Sequence, residues 1–156
     1  MIRLTRIDDR LLHGQVAMAW APALGANCIM IANDKVAKDE FMKLTLSLAK
    51  PMGTKLLIRS LKDAASFLND EKNKELKILL LINCVKDAYT LALDVPEIGS
   101  INFGGLRSKE GAKFISKAIA ITADDIPMMK ALIKKGIELE IRQVPTDSKQ
   151  MAASLI

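Results

Sequence analysis

The sequence predicts an α/β fold: a mainly parallel open β-sheet with helices on both faces and an antiparallel edge strand. Three observations carry this prediction. Short apolar runs alternate with longer amphipathic runs along the whole chain, which is the pattern of right-handed βαβ units. Half of the residues are hydrophobic but only 4% are aromatic, so Leu, Ile, Ala, Val and Met must form the core, as closely packed helix-on-sheet layers. The 156 residues hold no repeat, low-complexity tract or linker. That gives one domain, residues 1–156, long enough to bury roughly 70% of the surface of an unfolded chain.

In order along the chain, the apolar alternation of Ile2, Leu4 and Ile7 marks a first strand, and Val16–Ala23 a short helix ending near Pro22 and Gly25. Asn27–Ala32 reads as a strand buried on both faces. Apolar residues at spacings of three and four predict one helix over Val36–Ala49, broken by Pro51-Met52-Gly53. Lys55–Arg59 is a third strand, and Ser60-Leu61-Lys62-Asp63 resembles a capping box opening a helix through Leu68. Leu76–Asn83 is the most hydrophobic strand candidate and belongs near the sheet centre, followed by a helix over Val85–Leu93. Ser100–Phe103 is a strand ending in a Gly104-Gly105 turn, and Ala118–Thr122 is a brief strand. Ala123–Lys135 is a helix with Gly136 just past its end. Ile137–Val144 alternates apolar and polar residues, as expected of an edge strand with one solvent face. Pro145 ends it, and Thr146 or Asp147 caps a last helix. Ligands of such sheets bind beyond the carboxyl ends of the strands, so the loops at 8–14, 33–35, 60, 84 and 102–105 should share one rim.

One of those loops holds the only histidine. His13 lies in Arg6-Ile7-Asp8-Asp9-Arg10-Leu11-Leu12-His13-Gly14-Gln15-Val16, between a strand and a helix, where free N–H groups and the helix dipole attract anions. Gly14 lets the backbone approach a bound group. Arg10, three residues from His13, has a planar fork that can hold two phosphate oxygens. Imidazole keeps a neutral, nucleophilic form near neutral pH, and phosphoryl transfer needs chiefly positioning and charge stabilisation. The predicted catalytic residues are therefore His13, Arg10 and Asp8, with Arg10, Gly14, Gln15 and Arg6 binding phosphate. Asp8 would orient Arg10 or fix the imidazole tautomer. Arg6 is the more ambiguous of these, since an alternating strand can turn its side chain away from the site.

Other chemistries find less support. One histidine with distant cysteines is a weak metal set, so neither metal nor cofactor is expected. There is no Gly-Lys-Ser/Thr phosphate loop and no Gly-x-Gly-x-x-Gly after the first strand. Cys28 and Cys84 sit in apolar runs and read as buried, reduced thiols; an activated Cys84 thiolate lacks an arginine-bearing anion loop. The net charge of +5 is scattered over helix lysines, and with few aromatic residues no nucleic-acid partner is expected. The N-terminus lacks the apolar stretch of a signal peptide, and no apolar run reaches the ~20 residues that span a bilayer. A cytoplasmic location is expected.

Asp8-Asp9-Arg10-Leu11-Leu12-His13-Gly14-Gln15-Val16, with Trp20 downstream, resembles the IIB component of the mannose/fructose/sorbose family of the sugar phosphotransferase system. The likeness continues through Asn33-Asp34-x-x-Ala37-x-Asp39, Ala49-x-Pro51-x-Gly53, Asn102-Phe103-Gly104-Gly105 and Gly136…Arg142-Gln143-Val144-Pro145. It implies a sugar phosphotransferase acting as a phosphoryl carrier. The histidine matching His13 accepts the group from a phosphohistidine of the IIA component. It then donates the group to a sugar held by the membrane IIC and IID components, with the residues matching Arg10 and Asp8 assisting. Peripheral association with that membrane complex follows, and a homo-oligomer is compatible with it. Phe103 stands where the family often has a β-branched residue, a departure expected to leave transfer intact but able to alter a partner contact, and a IIB separate from IIA is expected from the start at Met1. The resemblance names neither the sugar nor the phosphorylated nitrogen. A small phosphatase or phosphomutase-like enzyme using His13 with free substrate, and a non-catalytic regulatory module binding an anionic ligand in the same loop, are the alternatives.

Overall fold

The computed structural model describes residues Met1–Ile156. A seven-stranded sheet is formed by β1 (Ile2–Asp8), β2 (Cys28–Ala32), β3 (Lys55–Arg59), β4 (Ile78–Ile82), β5 (Ser100–Gly105), β8 (Glu138–Ile141) and β9 (Gln150–Met151). Its order is β3-β2-β4-β1-β5-β8-β9, parallel throughout except for β9, which closes one edge antiparallel to β8. The predicted fold class is therefore the observed one. β4, Ile-Leu-Leu-Leu-Ile, is fully buried between β1 and β2, as its hydrophobicity requires. All strand carboxyl ends except that of β9 consequently open on one rim.

Helices cover both faces. On one face α4 (Leu61–Asn69), α5 (Val85–Asp94) and α6 (Asp125–Lys134) pack over a large apolar core. On the other lie a π-helical segment (Val16–Trp20) running into α1 (Ala21–Leu24), then α2 (Asp34–Ala37) and α3 (Glu40–Ser47), over a smaller core. Gly25 ends α1 in the left-handed conformation, φ 61°, the conformation that glycine reaches without steric cost. No helix is long and apolar enough to cross a membrane.

Several predicted elements differ. The single helix over Val36–Ala49 is two helices, because two side chains each cap a new start. Asn33 accepts from the Val36 N–H at 2.9 Å, and Asp39, itself extended, accepts from the Met42 N–H at 3.0 Å. The expected strand at 118–122 is β7 (Ile119–Thr122), which pairs antiparallel with β6 (Ala112–Ser116), a strand the sequence reading missed. This hairpin is a separate two-stranded sheet, joined to the end of β5 through Leu106, whose N–H donates to the Ala118 carbonyl. β8 is not an edge with one wet face: it lies between β5 and β9, and Leu139, Glu140 and Ile141 are all buried. No final α-helix forms. Asp147 turns back to accept from the N–H groups of Gln143 and Val144, and the chain ends in a 3₁₀ turn, Ala152–Ser154. Ser60 does cap α4 as expected, accepting from the Asp63 N–H.

Gly104 and Gly105 continue β5 instead of turning. The absence of a side chain serves packing: a Cβ on Gly104 would lie 1.9 Å from Cζ of Arg6, whose guanidinium crosses that spot. Phe103 is fully buried in the larger core, so the expected effect on a partner contact is withdrawn. Cys28 is buried but Cys84 only partly so; burial pushes both thiols up, against a reactive thiolate at either.

Gly104→Ala should lower the unfolding free energy by roughly 1–3 kcal/mol in urea titrations. Gly99→Ala, where an added Cβ meets nothing within 4 Å, should stay within about 0.5 kcal/mol of wild type. A second expectation concerns Glu97. Burial opposes its charge, but hydrogen bonds from the Ile2 N–H and Lys74 outweigh this and hold its pKa below the ordinary value. A lowered pKa contributes stability above the ordinary carboxylate range and loses it as pH falls through the lowered value. Glu97→Gln should therefore be less stable at neutral pH and match wild type once acid has protonated Glu97, read from urea midpoints against pH.

Candidate functional site

β1 ends at Asp8, and the next residues are tightly constrained. The Asp9 N–H donates to the Gly105 carbonyl and the Leu11 N–H to the Asp8 carbonyl, both at 2.9 Å. Leu11 takes φ 58°, alone among the non-glycine residues in having a positive φ. That conformation is costly for a side chain with a Cβ, and here Leu11 and Leu12 are both held in the smaller core. The two leucines thus pin the loop from below, and His13 emerges half-buried at its top.

Helix begins directly after His13. The Ala17 N–H donates to the His13 carbonyl at 2.9 Å, the first such bond, leaving the N–H groups of Gly14, Gln15 and Val16 without backbone acceptors. Gly14 and Gln15 are exposed, so free donors and the positive end of the helix lie beside the imidazole.

Asp8 is buried and accepts three hydrogen bonds. Its Oδ2 receives Nε2–H of His13 at 2.9 Å and a guanidinium N–H of Arg6 at 3.1 Å; its Oδ1 receives the Arg10 N–H at 3.0 Å. This assigns the histidine proton to Nε2 and leaves Nδ1 with its lone pair. Arg10, exposed, places a guanidinium nitrogen 3.2 Å from Nδ1 and 3.4 Å from Nε2, where an N–H can donate to Nδ1. His13, Arg10 and Asp8, predicted as a set, are brought together; Gly14 and Gln15 stand beside them.

Arg6 is not in the position expected of a phosphate ligand. It is fully buried, and the even alternation of β1 points it into the same face as Leu4. There Arg6, Asn102 and Glu140 sit abreast on β1, β5 and β8, in register across three parallel strands. Arg6 donates to Asn102 Oδ1 at 2.8 Å and to the Arg142 carbonyl at 3.2 Å. Asn102 donates to Glu140 at 3.1 Å, and Arg142 forks onto both Glu140 oxygens at 2.8 and 3.0 Å. Trp20 lies against both guanidinium groups, 5.3 Å from Arg6 and 5.1 Å from Arg142, and its indole N–H donates to the Gln143 carbonyl. Burial pulls the Arg6 guanidinium below its ordinary pKa, against the pull of Asp8 and then Glu140; the hydrogen bonds to Glu140 push Arg142 up. The continuous chain Glu140–Asn102–Arg6–Asp8–His13 thus links the far side of the sheet to the imidazole.

A cavity of about 440 Å³ opens beside Arg10, walled by Gln15, Gly105, Arg107, Lys117 and Gln143. Arg107 is fixed by Asp9, whose Oδ2 accepts from its N–H at 2.8 Å and from its Nε at 3.1 Å. Arg107 and Lys117 add cations that sequence reasoning missed. For Arg107 the available signal was its place just past the carboxyl end of a strand; Lys117 depends on the unrecognised hairpin. The loops at 33–35, 60 and 84 do not line this cavity, although they share the rim.

Residues 2–156 match the family described as PTS system sorbose subfamily IIB component. The chain is 33% identical to a probable phosphotransferase enzyme IIB component of Streptococcus pyogenes, covering 100% of this chain and 99% of that protein. It is also 33% identical to the mannose-specific EIIAB component of Escherichia coli K12, over 100% of this chain and 48% of that protein. The solved IIB domain of the sorbose permease from Klebsiella pneumoniae superposes with a TM-score of 0.93 at 32% identity, covering 99% of this chain and 94% of that one.

The two ion pairs of this region should differ sharply in energy. Arg6→Met leaves Asp8 buried without its counter-ion and should cost about 3–5 kcal/mol of stability. Arg107→Met removes a pair whose arginine is 73% exposed and should cost about 0–1 kcal/mol. Chemical denaturation of both variants checks the contrast.

Proposed function

From the premise that the chain belongs to the PTS sorbose-subfamily IIB components, and is thus a sugar phosphotransferase component in sugar transport, we propose that His13 is its phosphoryl carrier. The observation that carries this is the Asp8–His13 contact, 2.9 Å from Oδ2 to Nε2: it favours the tautomer whose free lone pair is on Nδ1, next to Arg10 and the open helix terminus. The donor is a phosphohistidine of the IIA component; the E. coli mannose relative, named as an EIIAB component, supports this pairing. The acceptor is a hydroxyl of a sugar bound by the membrane IIC and IID components.

In the first transfer the Nδ1 lone pair attacks the phosphorus in line with the donor's N–P bond. That bond breaks, its electron pair returning to the donor imidazole, as the new N–P bond forms on His13. Arg10 moves from Nδ1 to the equatorial oxygens, and the N–H groups of Gly14 and Gln15 share their charge. His13 keeps its Nε2 proton, and Asp8 stabilises the positive charge the ring acquires. In the second transfer the sugar hydroxyl oxygen attacks phosphorus, the P–N bond breaks with its electron pair returning to Nδ1 of His13, and the hydroxyl proton passes to solvent. Asn102 and Glu140 act as positioning residues, since they hold Arg6 and so Asp8.

Intact-mass analysis after incubation with phosphoenolpyruvate, the general phosphotransferase proteins and the IIA component should show an acid-labile gain of one phosphoryl group. The gain should vanish without IIA and in His13→Gln; a gain persisting in that variant would refute the assignment. Arg10→Ala should slow transfer by roughly 10²–10³-fold. Nitrogen-15 spectra of the unphosphorylated protein should show neutral His13 protonated on Nε2, with Asn102→Ala shifting the tautomer balance and slowing transfer by about tenfold or more.

A further inference from the structure

Five of the ten large apolar side chains that stand exposed belong to α3 and the turn after it: Phe41, Met42, Leu44, Leu48 and Met52. Phe41, Leu44 and Leu48 recur at helical spacing on one face of α3 and its C-cap, exposed by 76, 64 and 82%, and Met52 stands fully exposed in the turn that follows. The inward side of α3 is satisfied by Leu46, which packs in the smaller core, so these exposed side chains are surplus to folding. Exposed large apolar side chains gathered on one helix face and the adjoining turn mark a contact.

Its surroundings are basic. Residues 35–59 hold six basic residues (Lys35, Lys38, Lys43, Lys50, Lys55, Arg59) against two acidic ones (Asp39, Glu40), a local +4 within a total of +5. Four of the cations, Lys43, Lys50, Lys55 and Arg59, converge with Ser47 and Thr54 on a groove between α3 and the edge strand β3, and no carboxylate lines it. Glu40 meets only Lys43, at 3.2 Å, and is itself 88% exposed.

Charge selects among occupants. A second copy would set one +4 surface against another. An anionic surface is complementary, and the apolar side chains project from a helix and a turn instead of lining a recess. That is the form of an amphipathic helix lying among headgroups, with the basic groove beside the apolar side chains. We propose that α3 and the following turn, residues 40–55, seat on an anionic lipid surface, with Phe41, Leu44, Leu48 and Met52 entering the headgroup layer and Lys50, Lys55 and Arg59 meeting lipid phosphates. This surface is distinct from the His13 loop, and its existence does not depend on the phosphoryl-carrier reading.

The test is co-sedimentation of the full chain with protein-free vesicles of phosphatidylcholine, with and without roughly one-third phosphatidylglycerol. Binding should occur with the anionic vesicles, weaken with added salt, and be slight with phosphatidylcholine alone. The fourfold variant F41S/L44S/L48S/M52S should bind at least about tenfold more weakly, with an unchanged circular dichroism spectrum because the replaced side chains are exposed. Lys50→Gln with Lys55→Gln should remove the preference for anionic lipid. In an independent reading, Met52→Trp should be quenched by brominated lipid. Absence of binding to anionic vesicles, or equal binding by the fourfold variant, would overturn the proposal. So would a wild-type dimer that the variant abolishes, or retention by the IIA component alone that the variant loses.

Discussion

The interaction on which this structure turns is the burial of Arg6. A guanidinium without solvent must find partners on every side, and the fold supplies them from four segments: Asp8 from its own strand, Asn102 and the empty space at Gly104 from β5, the Arg142 carbonyl after β8, and Trp20 from the helix. Its Nε alone has no acceptor. On this face the polar ladder of Arg6, Asn102 and Glu140, with Trp20 and the 142–143 segment, takes the place that apolar side chains hold elsewhere. The sheet's central strand is thereby coupled through charge to its far side, and the carboxylate that receives this charge is the one that grips the histidine.

The sheet was legible because its signal is local. Buried parallel strands are short continuous apolar runs, and β2 and β4 could hardly be read otherwise. The reading failed where long-range pairing decided the outcome. β6, Ala-Lys-Phe-Ile-Ser, has little burial of its own and exists because β7 pairs with it. Glu140 looked like a solvent residue of an edge strand, yet it is buried because Asn102 and Arg142 satisfy it. The Asp39 cap inside an otherwise periodic run split one helix into two, since a short carboxylate side chain can take a nearby backbone N–H as well as it can face water.

Much of the His13 site was legible for the same reason: Asp8, Arg10 and His13 lie within six residues, so their meeting needs only a turn. What the sequence could not order was depth. Arg6 and Arg10 are both arginines four positions apart, and the end of β1 at Asp8 decides between them: Arg6 stays on the strand as a buried strut, while the turn after Asp8 carries Arg10 out to solvent. Arg107, ninety-seven positions from Arg10, enters the same cavity wall through the parallel pairing of β1 with β5.

The left-handed Leu11 bears on how such a loop meets successive partners. Its conformation is locally unfavourable and is kept because two leucines anchor it in the core, so the loop is a fixed protrusion and not a reaching arm. In the proposed cycle the arriving and departing partners therefore meet the same shape. What differs between the two encounters is the charge the loop displays, which becomes more negative when His13 carries the phosphoryl group. The order of visits then follows from an electrostatic change at a single side chain, with no rearrangement of the backbone that carries it.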